Sequence, residues 1–145
     1  MKNKKIVLFQ GAFDIINYGH VRAFEFAKKH GDYLIVAVNS NALLEKYKGR
    51  AAVLPWSHKA KIIGSFRMVD KVVVARYFSP MALLRKYRPA VYVIGSEWIE
   101  SKAKEIAYVK SYGGKIAISP RFRGVIPTSE IKRRLLAEAK AVLRG

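Results

Sequence analysis

Cysteine is absent from this chain, which excludes a disulfide framework and thiolate metal sites and fits a reducing compartment. Acidic residues are scarce, ten against 28 lysines and arginines. Long apolar runs are missing as well. After the basic opening Met1 to Lys5, the first one stops at Phe9, too short for a secretory segment or a membrane span. These absences predict a soluble cytoplasmic protein with no membrane span. No linker, low-complexity tract or internal repeat interrupts the sequence, so residues 1–145 read as one domain of ordinary size.

The charge imbalance leaves a net +18, and a field of that sign attracts polyanions. Nucleic acid bound non-specifically through a basic surface, anionic membrane and phosphorylated metabolites all fit it. An adaptation of the whole surface fits too, because the basic residues are spread along the chain and not gathered in one block.

What is present is an alternation of β-rich and helical stretches. Apolar runs at Ile6–Phe9, Tyr33–Val38, Val69–Val74, Val91–Ile94 and Lys115–Ile118 predict five strands. Between them, helices are expected over Val21–Lys29, Asn41–Tyr47, His58–Phe66 with Ser57 as cap, Ser79–Tyr87 and Glu100–Tyr112. A last helix begins near Thr128, with Ile131, Leu135, Ala139 and Val142 along one stripe. Strands made of continuous apolar runs are buried on both faces, so the fold class is α/β: a Rossmann-like, doubly wound, five-stranded parallel sheet in a single domain. Ligands in such sheets bind beyond the carboxyl ends of the strands. The first strand runs straight into GAFDIINYGH, residues 11 to 20.

That decapeptide lies between a strand and a helix. Gly11 lets the backbone leave the strand sharply, and Gly19 allows close approach of a ligand. Helix-start N–H groups favour an anion, and a ring N–H of His20 can join them. The segment is neither the Gly-rich dinucleotide fingerprint nor a Walker loop. From the residues alone it also fits a plain strand-to-helix turn with a capping histidine.

GAFDIINYGH resembles the signature of the cytidylyltransferase-like nucleotidyltransferases, G-x-F-D-x-x-H-x-G-H. The likeness continues along most of the chain. DYLIVAVNSNALLEKYKG (residues 32 to 49) is especially similar to the nucleotidyltransferase domain of the ADP-heptose synthases, and VDKVV and RPAVYVIGSEW (residues 88 to 98) resemble the family's next two strands. PRFRGVIPTSEIKRRL (residues 120 to 135) is similar to the R-x-x-G-I-S-T-T-x-I-K stretch of the glycerol-3-phosphate cytidylyltransferases.

The resemblance implies transfer of a nucleoside monophosphate, from CTP or ATP, to a phosphorylated small molecule such as a sugar- or polyol-phosphate, with release of pyrophosphate. It implies Mg²⁺, held largely by phosphate oxygens and water, and a homodimer. By position, His20, Asn17 and Lys48 become the catalytic candidates. Gly11, Ala12, Phe13, Gly19, Gly95, Glu97, Trp98, Arg121, Thr128 and Ser129 join His20 as candidates for holding the nucleotide, and Asp14 shapes the loop. No protein metal ligands are implied. Thr128 and Ser129 also fit a simple helix cap, and Trp98 also fits ordinary core.

Four positions depart from the pattern. Asn17 stands where the signature has its first histidine; an amide can donate a hydrogen bond but cannot carry charge. Asn41 replaces an aspartate, Lys59 stands where arginine is usual, and Pro127 replaces the first serine of I-S-T-T. They leave a second reading open, a catalytically weakened member that binds nucleotide or nucleic acid.

Overall fold

The computed structural model describes residues 3–145. Five strands form one all-parallel sheet: β1 (Ile6–Gly11), β2 (Tyr33–Asn39), β3 (Lys71–Ala75), β4 (Val91–Gly95) and β5 (Lys115–Ser119). Their order across the sheet is β3-β2-β1-β4-β5. Strand order therefore reverses between β1 and β4, where Phe9 stands beside Val36 on one side and Val93 on the other. A crevice opens there at the carboxyl ends. The expected fold class holds.

Helices α1 (Tyr18–Lys28), α2 (Asn41–Lys48), α3 (Trp56–Gly64), α4 (Met81–Tyr87), α5 (Ala103–Ser111) and α6 (Thr128–Arg144) alternate with the strands. Val7, Phe9, Leu34, Val36 and Val38 point to one face, where they meet Phe24 and Ala27 of α1 and Ile63 of α3. Leu8, Ile35, Ala37, Tyr92 and Ile94 point to the other, against Leu84 of α4 and Val109 of α5. Period-two alternation on a sheet buried from both sides explains why the strands read as unbroken apolar runs.

Several boundaries differ from expectation, for local reasons. Helix α1 starts three residues early, because Asn17 and not the following residues caps it. Ser57 caps nothing: Pro55 precedes α3, with no side-chain cap. Ser79 does not cap α4 either, and its hydroxyl donates to the buried Glu105 carboxylate instead. Strand β3 begins at Lys71, since Asp70 turns its carboxylate to the Leu34 N–H and to Lys28. Two 3₁₀ turns, Ser96–Trp98 and Glu100–Lys102, precede α5. The stripe on α6 is not core: none of that helix's residues is buried.

Phe24 is fully buried and meets Phe9, Phe13 and Phe66 at ring-centroid distances of 5.0 to 6.0 Å. This stack ties α1 to the floor of the crevice. Phe24→Ala should therefore cost about 3–5 kcal/mol of unfolding free energy in urea titrations. A cost below about 1 kcal/mol would show that the stack does not anchor α1.

Candidate active site

The crevice encloses about 360 Å³. Its floor is the carboxyl ends of β1 and β4, and its walls come from α1, α2, the 3₁₀ turns and the start of α6. Gly11 is required at the exit of β1. A Cβ there would lie 2.6 Å from the Phe13 ring, which folds back over it. Phe13 itself takes a left-handed backbone with φ 47°, uncommon for a residue with a side chain. Its ring is buried among Phe9, Phe24 and His20, a packing that holds the loop in this bend.

Asp14 is the hub of the loop. Its carboxylate accepts from the Val53 and Leu54 N–H groups and from Arg50, strapping the segment between α2 and α3 to the crevice. Burial pushes that carboxyl upward, but these donors and the nearby Lys59 outweigh it and hold it below the usual aspartate value. Lys59 has no exposed surface and donates to the Ala12 carbonyl at 3.0 Å. Its burial lowers its affinity for the proton, and Asp14 opposes that.

His20 lies in the first turn of α1 and lines the crevice. The Asn17 N–H donates to His20 Nδ1 at 3.2 Å, so Nδ1 is the acceptor and the neutral ring carries its proton on Nε2. Burial lowers the ring's pKa from 6.5 to about 4. At neutral pH it is a hydrogen-bond donor without charge.

Asn17 does not line the crevice. Its Nδ2 group donates to the Ile15 carbonyl at 2.7 Å and to Thr128 Oγ1 at 3.1 Å, while Oδ1 accepts from the Gly19 N–H. Both amide hydrogens are committed within the chain, so in this arrangement Asn17 positions other groups and offers no donor to a ligand. Gly19 has a different place from the one expected. Its missing Cβ makes room for Val125 at 3.0 Å, not for a ligand.

The remaining expected residues divide in the same way. Gly11, Ala12, Phe13, Lys48, Gly95, Glu97, Trp98, Arg121 and Thr128 all line the crevice with His20. Ser129 does not; it is exposed one step along α6. Trp98 packs with Tyr47 and Phe78 into an aromatic wall, with centroids 5.3 to 5.9 Å apart.

Reading the sequence missed several lining groups: Gln10, Asn39, Tyr47, Phe78, Tyr92, Lys102 and Lys132. Lys132 had a signal, since it stands four residues after Thr128 and so shares its helix face. Burial and the neighbouring Lys48 and Arg50 make Lys132 a weaker base than an ordinary lysine. Like charges held together in this way leave a crevice that favours an anion. Lys102 had no such signal. It is buried, donates to the Phe78 carbonyl at 2.7 Å and lies 3.7 Å above the Phe78 ring.

The site contains no ready cation cage. No three His, Asp or Glu side chains cluster among the described residues, and Asp14 already accepts three hydrogen bonds from within the chain. No helix there is long and apolar enough to cross a membrane.

The His20 geometry fixes a pH dependence. A histidine whose folded pKa lies below its unfolded one binds fewer protons in the native state between pH 4 and 6.5. Stability should therefore be complete above about pH 6.5 and fall toward pH 4, by on the order of 3 kcal/mol from this ring. Histidine NMR should find the His20 ring titrating near pH 4 as the Nε2–H tautomer. A midpoint near 6.5 would show a solvated ring.

Comparison with known proteins agrees with this geometry. A family model described as cytidylyltransferase-like matches residues 8–134. The bifunctional protein HldE of Gluconobacter oxydans is 32% identical over 129 residues, covering 88% of this chain and 27% of that protein. HldE of Geobacter metallireducens is 31% identical over 137 residues, covering 94% and 28%. The chain thus spans little more than a quarter of these curated relatives. Among solved structures, a lipopolysaccharide core biosynthesis protein from Thermoplasma volcanium superposes with TM-score 0.68 at 20% identity, covering 82% of this chain and 97% of the other. A pantoate-beta-alanine ligase from Francisella tularensis, complexed with beta-gamma ATP and beta-alanine, gives TM-score 0.61 at 16% identity, covering 92% and 66%. With the matched region covering most of its length and the crevice built on the same segments, the chain belongs to the cytidylyltransferase-like family of nucleotidyltransferases.

Proposed function

We propose that the crevice transfers a nucleoside monophosphate from CTP or ATP to a phosphorylated small molecule, a sugar- or polyol-phosphate, and releases pyrophosphate. The observation that carries this reading is the convergence of unneutralised donors on one crevice. His20, Thr128, Arg121, Lys48 and Lys132 all line it, beside the start of α1 and under the first turns of α6.

The chemistry asks for these groups and little else. An oxygen of the acceptor phosphate attacks the α-phosphorus; the bond from that phosphorus to the bridging oxygen breaks, and pyrophosphate leaves with the electron pair. The attacking oxygen is already ionised, so no general base is needed. Positioning and stabilisation of developing charge carry the step.

His20 Nε2–H donates to the transferring phosphate, and a neutral ring suits this because it cannot give up a proton to the leaving group. Thr128 and the α6 N–H groups hold the distal phosphates. Lys48 and Lys132 face each other's charge until phosphate neutralises both. Gly95, Glu97 and Trp98 lie against the base or ribose. Mg²⁺ would enter with the triphosphate, held by phosphate oxygens and water, because the donor set of the crevice is cationic and N–H-rich. Bound there, it would offset phosphate charge.

The likeness of residues 32 to 49 to the nucleotidyltransferase domain of the ADP-heptose synthases supports a sugar-phosphate acceptor. The ligase bound to an ATP analogue supports ATP, and the likeness of Arg121 to the arginine of the R-x-x-G stretch supports CTP. A second reading, a nucleotide-binding member without turnover, is favoured by one observation, that Asn17 has no hydrogen left for a phosphate.

Pyrophosphate release with Mg²⁺, each triphosphate and a panel of sugar- and polyol-phosphates separates the two. Turnover is expected, and His20→Ala should slow it by about a hundredfold or more, mainly in kcat. Triphosphate binding without turnover for any acceptor would favour the second reading, and no binding of any triphosphate would remove both. Lys132→Gln should weaken triphosphate binding about tenfold, the worth of a charge-assisted bond, and flatten its salt dependence. An unchanged dissociation constant by calorimetry would remove Lys132 from the site.

A further inference from the structure

The side of the crevice away from α1 carries polar groups that the transfer step leaves unused. Gln10 and Asn39 continue, by period two, the rows of Leu8 and of Ile35 and Ala37, so they stand on the sheet face toward α4 and α5. Both line the crevice, together with Phe78, Trp98 and Lys102. Gln10 Nε2 donates to the Tyr77 carbonyl and to Asn39 Oδ1, each at 3.0 Å, and lies 3.5 Å from the Phe78 carbonyl. Those two backbone carbonyls fix which end of the Gln10 amide faces them, because the reversed amide would set oxygen against oxygen. This orientation leaves Gln10 Oε1 buried and without a partner, an unmet acceptor of the kind that calls for a functional reason.

The consequence falls on Asn39. Since Gln10 must present a donor, Asn39 must present its oxygen there, which turns its Nδ2 group away from Gln10. That nitrogen has no acceptor among the described residues and, unlike Gln10 Oε1, is open to solvent. Its N–H groups are thus offered to the crevice in a fixed direction. The cation on this side, Lys102, donates to the Phe78 carbonyl at 2.7 Å, and the buried Glu105 carboxylate answers its charge. Lys132 differs, because Lys48 and Arg50 repel it. The region of Lys132 therefore suits phosphate, and the region of Asn39, rich in donors with its cation balanced, suits uncharged oxygen. The adjoining rings of Phe78 and Trp98 offer apolar cover to a carbon skeleton that carries such oxygens.

We propose that Asn39, oriented by Gln10, hydrogen-bonds a hydroxyl on the carbon skeleton of the acceptor, and so selects hydroxylated phosphates over phosphates that lack the group. The proposal rests on the transfer reaction put forward above. Asn39 ends β2 and Gly95 ends β4, on either side of β1, and strands placed so are about 10 Å apart. A nucleotide held by Gly95 and Arg121 then leaves the Asn39 side to the acceptor, with the α-phosphorus between them, as an in-line displacement requires. A site built to bond a hydroxyl discriminates strongly, because its donor is left unpaired when the hydroxyl is missing.

Matched probes test this: sn-glycerol 3-phosphate against n-propyl phosphate, and D-glucose 1-phosphate against cyclohexyl phosphate. Within each pair the phosphate is kept and the hydroxyls are removed. Calorimetry gives the dissociation constants, with the full chain saturated by an α,β-methylene analogue of CTP or ATP that cannot react. In at least one pair the hydroxylated member should bind the wild type about tenfold or more tightly, the worth of a hydrogen bond between neutral groups. In Asn39→Leu that ratio should fall to about one, and Asn39→Ala provides the same measurement should the leucine variant not fold. A merely structural loss would weaken both members alike and leave the ratio standing. A wild type without such a preference in either pair overturns the proposal, as does a preference that survives in the variants. Binding of the triphosphate analogue with no hydroxyl preference sinks this inference alone, whereas a wild type that binds no analogue removes the transfer reading and this inference with it.

Discussion

The bond from Asn17 Nδ2 to Thr128 Oγ1 joins the starts of two helices that are 111 residues apart in sequence. Each helix start leaves N–H groups without intrahelical partners and carries partial positive charge. Two such starts fixed side by side above a parallel sheet define where an anion can sit. The same asparagine accepts from Gly19 and supplies the N–H that selects the His20 tautomer. One side chain therefore sets the spacing of the helix starts, while its backbone decides which imidazole nitrogen carries the proton. A histidine at this position would keep the backbone N–H but would have to reproduce the cap and the bridge with its ring. That explains how a family signature residue can be exchanged for a different one without unravelling the loop around it.

A second constraint lies beneath the loop. Lys59 is buried, and an unpaired ammonium in that position would cost several kcal/mol. Its cost is offset by the Ala12 carbonyl and by the charge of Asp14. Asp14 is in turn held by Arg50 and two backbone N–H groups. The chain thus links α3, the β1–α1 loop and the segment after Lys48 through one buried cation and one buried anion. Arginine would offer a fork here; lysine offers a single point of charge, and a lone carbonyl suits it.

The fold was legible because the central strands β1, β2 and β4 are covered on both faces, and continuous apolar runs survive as a signal. Five runs separated by helical stretches left few topologies to consider. The glycine-framed decapeptide was legible because backbone exit, close packing and a helix start each demand particular residues. What could not be read was contact across the chain. Asn17 to Thr128, Ser79 to Glu105 and Lys102 to Phe78 are pairings that no local spacing announces. For the same reason Gly19 was expected to face a ligand and instead faces Val125. The stripe on α6 was visible by its period, but period reports only that a face is apolar. Whether the chain itself covers that face is decided by where the preceding loop sends the helix.

The positive charge can be placed in the same frame. At the crevice, Lys48 and the adjacent Arg50 repel Lys132, while Asp14 attracts Lys132 and pairs with Arg50. Such a cluster weakens the empty protein and strengthens the filled one, because any anion that enters removes the repulsion. On α6, Glu130 is shared by Arg133 and Arg134 in an exposed ladder that contributes little to stability. Both regions lie on one helix: its first turns face the crevice and its later turns face outward.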